Sequence, residues 1–316
     1  MGKSLLPGVS VLIRAHLDSP YLFEALKSVG DQTKISKFEV LLCLDRPTAI
    51  LYGQIDRFRR EYPHIVISLV EVGSVGTAER LNILIEFANF ELLAILDSDD
   101  RMIKDRLSFQ IEYMQQNPHV AVVGSAINII DENGKTIGQK GFTTEPDSIT
   151  QGRWKNLPVA HPSVMMRKSV IIGVGGYRDF YFPSEDYDLW LRVLETSHIG
   201  NLSDVLTDYR VHANQTTASR LFRNVSAGIA SRKSAKQRIK NKSELHELYT
   251  SSIHWALTSP LLLIVTRRVI RTFAWYRISG SSASLKPLWA CLFLCMSPFR
   301  GSVELYRKIQ QRLDVN

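Results

Sequence analysis

The chain has 316 residues, of which 45% are hydrophobic and 22% are charged. This length allows one large α/β domain with an appendage, and the composition excludes a chain that is disordered throughout. The net charge of +8 is unevenly spread, because residues 218–316 hold 17 Lys and Arg against 4 Asp and Glu, whereas residues 1–217 hold 22 against 27. An acidic domain followed by a basic extension predicts an anionic surface as the partner of the extension.

The cysteines and the apolar segments indicate a cytoplasmic protein. The three cysteines match neither a disulfide framework nor a zinc site, which is typical of a reducing compartment. The apolar run Val9–Ile13 is short and ends at Arg14, so no signal peptide is predicted. The most apolar segments of the extension, Trp255–Val265 and Pro287–Pro298, are shorter than the roughly 20 residues that span a bilayer.

The first hundred residues alternate between strand and helix patterns. Strands are predicted at Val9–Ile13, Val40–Leu44, Ile65–Val70 and Leu92–Leu96, and helices at Tyr21–Val29, Ile50–Phe58 and Arg80–Ala88. This order predicts an α/β fold, with a mostly parallel sheet flanked by helices and right-handed crossovers. Ligands of such sheets bind at the carboxyl ends of the strands, where Asp45 and Asp97 stand.

The pattern beyond residue 100 is less regular. The predicted elements are a helix over 103–117, a strand at Val120–Gly124, a hairpin turn at Asp131–Gly134, a strand at Ser163–Met166 and a helix at Asp186–Leu194. Residues 140–158 lack clear periodicity and are predicted to form a mobile loop over the site. From Ala218 the pattern becomes helical and basic. We therefore predict a catalytic domain at 1–217 and an α-helical basic extension at 218–316.

A first carboxylate cluster, Asp97-Ser98-Asp99-Asp100, follows the fourth predicted strand. The turn after the strand can bring Asp97 and Asp99 to one ion. Their hard oxygen donors, together with diphosphate oxygens, suit Mg²⁺ or Mn²⁺, which would neutralise charge on a departing nucleotide diphosphate. The alternative is a solvated turn or a helix N-cap, for which Asp is well suited. The position at a strand end favours the metal site.

A second carboxylate cluster opens the predicted helix at Asp186. Inversion at an anomeric carbon needs a general base, and Asp186, beside Glu185, is the candidate. The helix dipole would lower the pKa of Asp186, whereas burial or the neighbouring Glu185 would raise it. The alternative is an ordinary acidic first turn, in which Asp188 and Arg192 form an i, i+4 ion pair.

These segments together resemble the family 2 glycosyltransferases, which have the Rossmann-like GT-A fold. The resemblance covers about residues 8–217 and rests on segments in the family's order: Val9–Arg14 through Gln32, Gly76–Asn82, Asp97–Asp100 with Asp105-Arg106-Leu107 and Gln110, His161–Met165 with Gly175-Gly176-Tyr177, Glu185–Arg192, and Tyr209–His212 with Gln215. It implies inverting transfer of a sugar from a nucleotide-diphosphate sugar, with a UDP-sugar favoured, to a glycan or lipid-linked acceptor in cell-surface polysaccharide synthesis.

The resemblance also implies roles for individual residues. Asp97, Asp99 and His212 are expected to form the metal site, where His212 approaches the diphosphate or the metal. Asp186 is expected to be the base, with Glu185 in contact with the acceptor. The residues expected to contact the nucleotide sugar are Asp45, Arg14, Asp97, Arg80, His161 and Arg210.

Two segments depart from the family's usual residues. Residues 14–18, Arg-Ala-His-Leu-Asp, stand where the family often has a proline or threonine with a tyrosine and then an asparagine. Asp45 precedes Arg-Pro-Thr where two acidic residues and a Gly-Ser are common. Both changes fall in the predicted base pocket and leave the nucleotide base open. The role of His161 is open between site and structure, and that of Trp154 between sugar stacking and packing.

The basic extension resembles a membrane-surface element. Its cations and aromatic residues beside short apolar helices predict interfacial helices on an anionic leaflet, on the inner face of the cell membrane. The alternative is a basic face packed against the catalytic domain. Nucleic-acid binding is not expected, because no reading module or stacking platform is present in the sequence.

Two rival functions stay open at this point. A nucleotidyltransferase would need a glycine-rich loop with Lys or Arg after the first strand, and no glycine follows Arg14 there. A catalytically inactive relative could act as a membrane-bound assembly partner. The presence of Asp97, Asp99 and Asp186 favours an active enzyme over this second rival.

Overall fold

The structure is a computed structural model that describes residues 8–16, 19–35, 37–73, 75–155, 157–212 and 221–239. The apolar segments Trp255–Val265 and Pro287–Pro298, on which the prediction of interfacial helices rests, lie outside the described residues. None of the helices in these ranges is long and apolar enough to cross a membrane.

The described part of the chain forms a sheet covered by helices. The strands are β1 (Val9–His16), β2 (Phe38–Asp45), β3 (Val66–Val72), β4 (Leu92–Asp97), β5 (Arg101–Met102), β6 (Val120–Ile130), β7 (Thr136–Lys140), β8 (Met165–Arg167) and β9 (His198–Arg210). The helices are α1 (Leu22–Gly30), α2 (Ala49–Glu61), α3 (Thr77–Phe87), α4 (Arg106–Gln116), α5 (Pro146–Gly152), α6 (Lys168–Gly173), α7 (Glu185–Val193) and α8 (Leu221–Ile239), with 3₁₀ turns at His161–Ser163 and Asp179–Tyr181.

The strand order brings the predicted site residues to one edge. The order is β3-β2-β1-β4-β8-β6-β9-β5, with β7 paired to β6. Strands β3, β2, β1 and β4 are parallel, so their carboxyl ends meet at the same edge. In the register, His16 lies opposite Asp45 and Arg14 lies opposite Asp97. The chain order reverses at β1, which is where ligands of doubly wound sheets bind.

The core lies in two layers, one on each face of the sheet. Alternate residues of β1 divide between them: Val11 and Ile13 pack with α1, α2 and α4, whereas Leu12 packs with α3 and α7. Trp190 of α7 is fully buried in the second layer. A sheet buried on both faces requires the continuous apolar runs that predicted these strands, and the α/β prediction is confirmed.

Three segments differ from the sequence predictions. Strand β9 was not predicted, because its residues are mixed polar and apolar, and it forms by parallel pairing with β6. The segment 140–158, predicted as a loop, contains α5, which buries Ile149. The helix predicted over 103–117 begins only at Arg106, because Arg101–Met102 pairs with β9. The hairpin turn at Asp131–Gly134 is confirmed between β6 and β7.

Helix α8, the first part of the predicted extension, packs against α7. Ser184 Oγ donates to the carbonyl oxygen of Asn224 at 2.9 Å, and Arg238 Nη2 lies 2.8 Å from Glu195 Oε1. The packed face of α8 consists of small residues, Ser226, Ala227, Ala230, Ser231, Ser234 and Ala235, all buried. Helix α8 therefore fits the alternative in which the basic face of the extension packs against the catalytic domain. The predicted domain boundary between residues 217 and 218 stays a prediction.

Candidate active site

Asp45 ends β2, and its carboxylate contacts Arg80 and His16. Its Oδ2 lies 2.5 Å from Arg80 Nη2 and 2.7 Å from His16 Nδ1, while the carboxylate is only 4% exposed. Oδ1 has no hydrogen-bond partner among the described residues, although Arg46 Nε stands 3.5 Å away. A buried acceptor without a partner calls for a donor, and this oxygen is available to an N–H or O–H of a ligand.

Arg14 and Asp97 form an ion pair across β1 and β4. Arg14 Nη2 donates to Asp97 Oδ1 at 3.0 Å. Burial alone would lower the pKa of Arg14, but the charges of Asp97 and Glu185 outweigh burial and raise that pKa. Arg14 is therefore a permanent cation between the two carboxylate clusters. Two residues of the first departing segment are thus engaged in ion pairs, since Arg14 pairs with Asp97 and His16 pairs with Asp45.

Asp99 and His212 approach each other closely enough to share one ion. His212 Nε2 lies 2.9 Å from Asp99 Oδ2, and its ring stands 5.6 Å from that of Tyr21. Within the described ranges, no three His, Cys, Asp or Glu side chains form a preformed metal cluster. Carboxylate and imidazole donors fit Mn²⁺ or Mg²⁺ completed by ligand oxygens. The predicted trio is therefore only partly assembled, because the Asp97 carboxylate faces Arg14.

Arg210, the last residue of β9, holds the turn formed by residues 97–100 in place. It is fully buried, and its backbone N–H donates to Asp100 Oδ1 at 2.8 Å. Its Nε donates to the carbonyl oxygen of Asp99 at 2.8 Å, and Nη2 donates to Glu24 Oε2 at 2.7 Å. This differs from the expected contact with the nucleotide sugar. The structure gives Arg210 a positioning role, because its guanidinium is engaged by protein oxygens.

Asp100 is buried beneath the same turn. Burial, followed by the charges of Asp99 and Asp97, raises its pKa well above 3.8. Its Oδ2 has no hydrogen-bond partner in the described part of the chain. Asp100 therefore supports the turn from below rather than presenting a charge to solvent.

Glu185 and Asp186 open α7 as predicted, and burial dominates their electrostatics. Burial raises the pKa of Asp186 above 3.8, although the nearby His161 and the backbone N–H of Tyr187 oppose this shift. Burial, with the charge of Asp186, raises the pKa of Glu185 to about 7. Of the two opposing effects on these pKa values, burial therefore outweighs the helix dipole.

Asp188 belongs to a structural ion network rather than to the site. It is fully buried and accepts from Arg178 Nε at 2.9 Å and from Arg192 Nη2 at 2.9 Å. Arg192 also donates to the carbonyl oxygen of Gly176 at 2.6 Å. The i, i+4 pair expected from the sequence is confirmed, and it anchors α7 to the preceding loop.

His161 and Trp154 take different positions. His161 Nε2 lies 3.0 Å from the Tyr177 hydroxyl, and burial lowers the pKa of His161 even though Asp97 and Asp186 raise it. His161 thus stands between the two carboxylate clusters as a neutral ring. Trp154 packs against a cluster formed by Tyr187, Leu191 and Ala235, which supports the packing role.

Two supporting residues were not recognised from the sequence. Arg106 is fully buried and donates to the carbonyl oxygens of Ile95 at 2.9 Å and Pro162 at 2.7 Å, joining β4 to the turn that carries His161. Burial lowers its pKa to about 9. Asp179 accepts from the backbone N–H of Ala78 at 2.8 Å and so caps α3. Arg106 lay within a family-like segment, whereas nothing marked Asp179.

A separate cleft of about 650 Å³ contains none of these residues. It lies between the end of α1 and β5 and is lined by Ser28, Gly30, Asp31, Gln32, Thr33, Arg101, Met102, Ile103, Lys104 and Asp208. Three of its lining charges are paired, because Arg101 Nη2 lies 2.9 Å from Asp208 Oδ2 and Asp31 Oδ2 lies 2.9 Å from Lys27 Nζ outside the lining. The candidate site is therefore the carboxylate-lined edge and does not include this cleft.

Comparisons with known proteins identify the family to which the chain is similar. The sequence profile of glycosyl transferase family 2 matches residues 10–175. The O-antigen biosynthesis glycosyltransferase WbnJ of Escherichia coli is 32% identical over 75% of this chain and 93% of its own length. A second E. coli relative, the UDP-Gal:alpha-D-GlcNAc-diphosphoundecaprenol beta-1,3-galactosyltransferase, is 32% identical over 65% of this chain and 74% of its own.

A solved structure has the same fold. The mannosyltransferase PcManGT from Pyrobaculum calidifontis, in complex with GDP-Man and Mn²⁺, superimposes with a TM-score of 0.58 over 95% of this chain and 83% of its own. At 15% identity this likeness concerns the fold. With the family profile and the named relatives, it shows that this chain belongs to glycosyl transferase family 2 and is a glycosyltransferase of the GT-A fold.

Proposed function

We propose that this chain is an inverting glycosyltransferase that moves a sugar from a nucleotide-diphosphate sugar to a glycan or lipid-linked acceptor in cell-surface polysaccharide synthesis. The observation that carries the proposal is the meeting of two carboxylate clusters at one sheet edge. Arg14 pairs with Asp97, and the charge of Glu185 helps to raise the pKa of Arg14. The charges of Asp97 and Asp186 both act on the pKa of His161, where they oppose the effect of burial. Donor and acceptor groups are thus within electrostatic reach of each other.

The donor side consists of the ends of β1, β2 and β4. The unpartnered Oδ1 of Asp45 accepts a hydrogen bond from the nucleotide base or ribose, while Arg80 and His16 fix the carboxylate. A UDP-sugar is favoured as donor, since the name of one relative specifies UDP-Gal. Arg14 adds a positive charge near the diphosphate, which an electrostatically preorganised site uses to stabilise the leaving group.

Asp99 and His212, with Asp97, would hold Mg²⁺ or Mn²⁺. The 2.9 Å approach of Asp99 Oδ2 to His212 Nε2 supports this assignment. When bound, such an ion supplies Lewis-acid stabilisation of the departing diphosphate. The chain's own contribution is the rigid turn, which Arg210 and Asp100 hold from beneath.

The acceptor side is the start of α7. Asp186 takes the proton of the acceptor hydroxyl as the hydroxyl oxygen attacks the anomeric carbon, and the bond from that carbon to the diphosphate oxygen breaks. Attack opposite the leaving group inverts the configuration. Glu185, beside it, contacts the acceptor and places its hydroxyl. The raised pKa of Asp186 makes it a stronger base than an exposed aspartate.

The acceptor and the charge of the extension support a location at a membrane. The acceptor of one relative is a diphosphoundecaprenol-linked sugar by its printed name. The surplus of Lys and Arg in residues 218–316 favours attraction to an anionic leaflet. We infer a cytoplasmic enzyme that is peripheral on the inner face of the cell membrane.

Calorimetric titration of the full chain with UDP, GDP and dTDP, with and without Mn²⁺, tests the donor side. We expect UDP to bind only with the metal, and Asp99→Ala to weaken that binding by more than about tenfold, the loss of one charged ligand contact. The matched control is Asp56→Ala, which removes an exposed carboxylate on α2. If no nucleotide binds under any condition, the proposal is wrong and an inactive assembly partner is the better account.

A further inference from the structure

Three cations surround Trp154 beside the start of α7. The Arg153 guanidinium carbon lies 4.7 Å from the centre of the indole ring, and Lys236 Nζ of α8 lies 5.5 Å from it. Arg232 Nη1 of α8 donates to the carbonyl oxygen of Trp154 at 3.1 Å. We call these four residues the Trp154 cluster. It joins the segment after α5 to α8, on the side of α7 that faces α8.

The positive charge of the Trp154 cluster is not balanced within the described part of the chain. No carboxylate there forms an ion pair with Arg153, Arg232 or Lys236, whereas Arg238, farther along α8, lies 2.8 Å from Glu195. The face of an indole attracts cations but carries no net charge. Like charges held together favour binding of an anion, which restores neutrality.

The Trp154 cluster is connected directly to the catalytic end of α7. Tyr187 follows Asp186 in the chain, and consecutive Cα atoms are about 3.8 Å apart. The Tyr187 hydroxyl donates to the carbonyl oxygen of Arg153 at 2.6 Å, and the Arg232 guanidinium lies 5.8 Å from the Tyr187 ring. The cluster therefore contacts the side chain of the residue that follows the candidate base, at the start of α7.

We propose that the Trp154 cluster binds a phosphate or diphosphate group of the acceptor, an inference that rests on the proposed function. Arginine presents planar pairs of N–H donors that match phosphate oxygens, and lysine adds a mobile point charge. The arrangement selects acceptors that carry an anionic ester close to the accepting sugar.

The test is titration of the full chain with inorganic pyrophosphate in EDTA, so that metal-dependent binding at the donor side does not contribute. We expect Lys236→Gln to weaken pyrophosphate binding about fivefold, as for a partly exposed charge pair, and the Arg232→Gln, Lys236→Gln double variant to weaken it more than about tenfold. Lys236 is exposed, so its replacement leaves the fold intact. Nucleotide-sugar hydrolysis without acceptor reports the donor side and is expected to stay unchanged in both variants.

The matched control is Lys37→Gln. Lys37 is also exposed and also lies over an aromatic ring, 5.3 Å from the centre of Phe90, but it precedes β2 at the opposite edge of the sheet. Absence of pyrophosphate binding by the wild type, or equal weakening in Lys37→Gln, overturns the proposal. If hydrolysis of the donor is absent while the Lys236 effect persists, the anion site stands and the proposed function fails.

Vesicles distinguish the two sources of a phosphate group. Co-sedimentation is measured with phosphatidylcholine alone and with phosphatidylcholine mixed with phosphatidylglycerol. We expect Lys236→Gln to leave vesicle binding unchanged, because the cluster faces the acceptor. Loss of vesicle binding with unchanged pyrophosphate binding would reassign the cluster to lipid headgroups and overturn the proposal.

Discussion

At the scale of single residues, burial rather than sequence position sets the charge of the candidate catalytic groups. Asp186 and Glu185 stand at the positive end of a helix, where exposed carboxylates ionise readily. Removal from water has the larger effect on both pKa values and raises them. The same effect keeps His161 neutral, because burial lowers its pKa. Proton transfer at this site is therefore tuned by the surrounding protein.

The raised pKa values predict the acid limb of the pH profile. A base acts only when deprotonated, so kcat/KM falls as pH falls through its pKa, and we expect that limb to lie above 3.8, the ordinary value of an aspartate. Asp186→Asn should lower kcat about 10²- to 10⁴-fold, the usual contribution of a general base. Steady-state kinetics across pH measure both. An Asp186→Asn variant with wild-type turnover would assign the base elsewhere.

The pKa of Glu185 also predicts a stability difference. Its folded-state pKa of about 7 lies above the ordinary 4.5, so the folded state favours the protonated form. The resulting stabilisation is complete below 4.5 and is lost as pH rises through 7. Glu185→Gln, which cannot ionise, should match the wild type in acid. Above pH 7 it should be more stable by up to about 3 kcal/mol.

Urea unfolding of both proteins across this pH range measures the difference directly. A gap that is constant with pH would show that the substitution acts through packing instead of through ionisation. The comparison also isolates Glu185 from other titrating groups, since these are shared by the two proteins.

At the scale of elements, two neighbouring residues connect the donor and acceptor sides. Arg178 holds Asp188 of α7, and Asp179 caps α3, the helix that carries Arg80. Gly76, at the start of α3, permits this approach, since a Cβ there would stand 2.0 Å from Asp179 Oδ2. The position of α3 therefore depends on the segment that precedes α7.

Removal of this cap should disturb donor binding. We expect Asp179→Ala to cost about 1 kcal/mol of stability and to raise the KM of the donor about fivefold, because α3 and Arg80 shift relative to Asp45. Asp179→Asn retains an oxygen that accepts the bond and is expected to behave almost like the wild type. Equal loss in both variants would indicate that the charge, not the cap, is what matters.

At the scale of the whole molecule, α8 is part of the packing that supports the catalytic helix. Its small residues allow a close approach to α7, and Ala227 is fully buried. We expect Ala227→Phe to lower the free energy of unfolding by about 2–3 kcal/mol, the cost of overpacking a filled interface. Thermal unfolding measures this. Ile239→Phe, at a position that is 50% exposed, is the control and should change little.

The sequence by itself determined the fold class and the main chemistry. Continuous apolar runs specify buried parallel strands, and the strand ends then place Asp45 and Asp97 at one edge, since this depends only on local periodicity and chain order. The acidic start of α7 was visible for the same reason. The resemblance to the family added His212 as a candidate at the metal site, which local pattern alone does not contain.

Only the tertiary structure decided the roles that depend on contacts between distant segments. Asp179 caps a helix 101 positions away, and Arg210 reaches Asp99 across 111 positions. Strand β9 forms because β6 offers a pairing edge, although its own residues lack a clear alternation. Burial, which raises the pKa of Asp186, is likewise a property of the packed molecule. No local pattern encodes these features, because each depends on groups brought together only by folding.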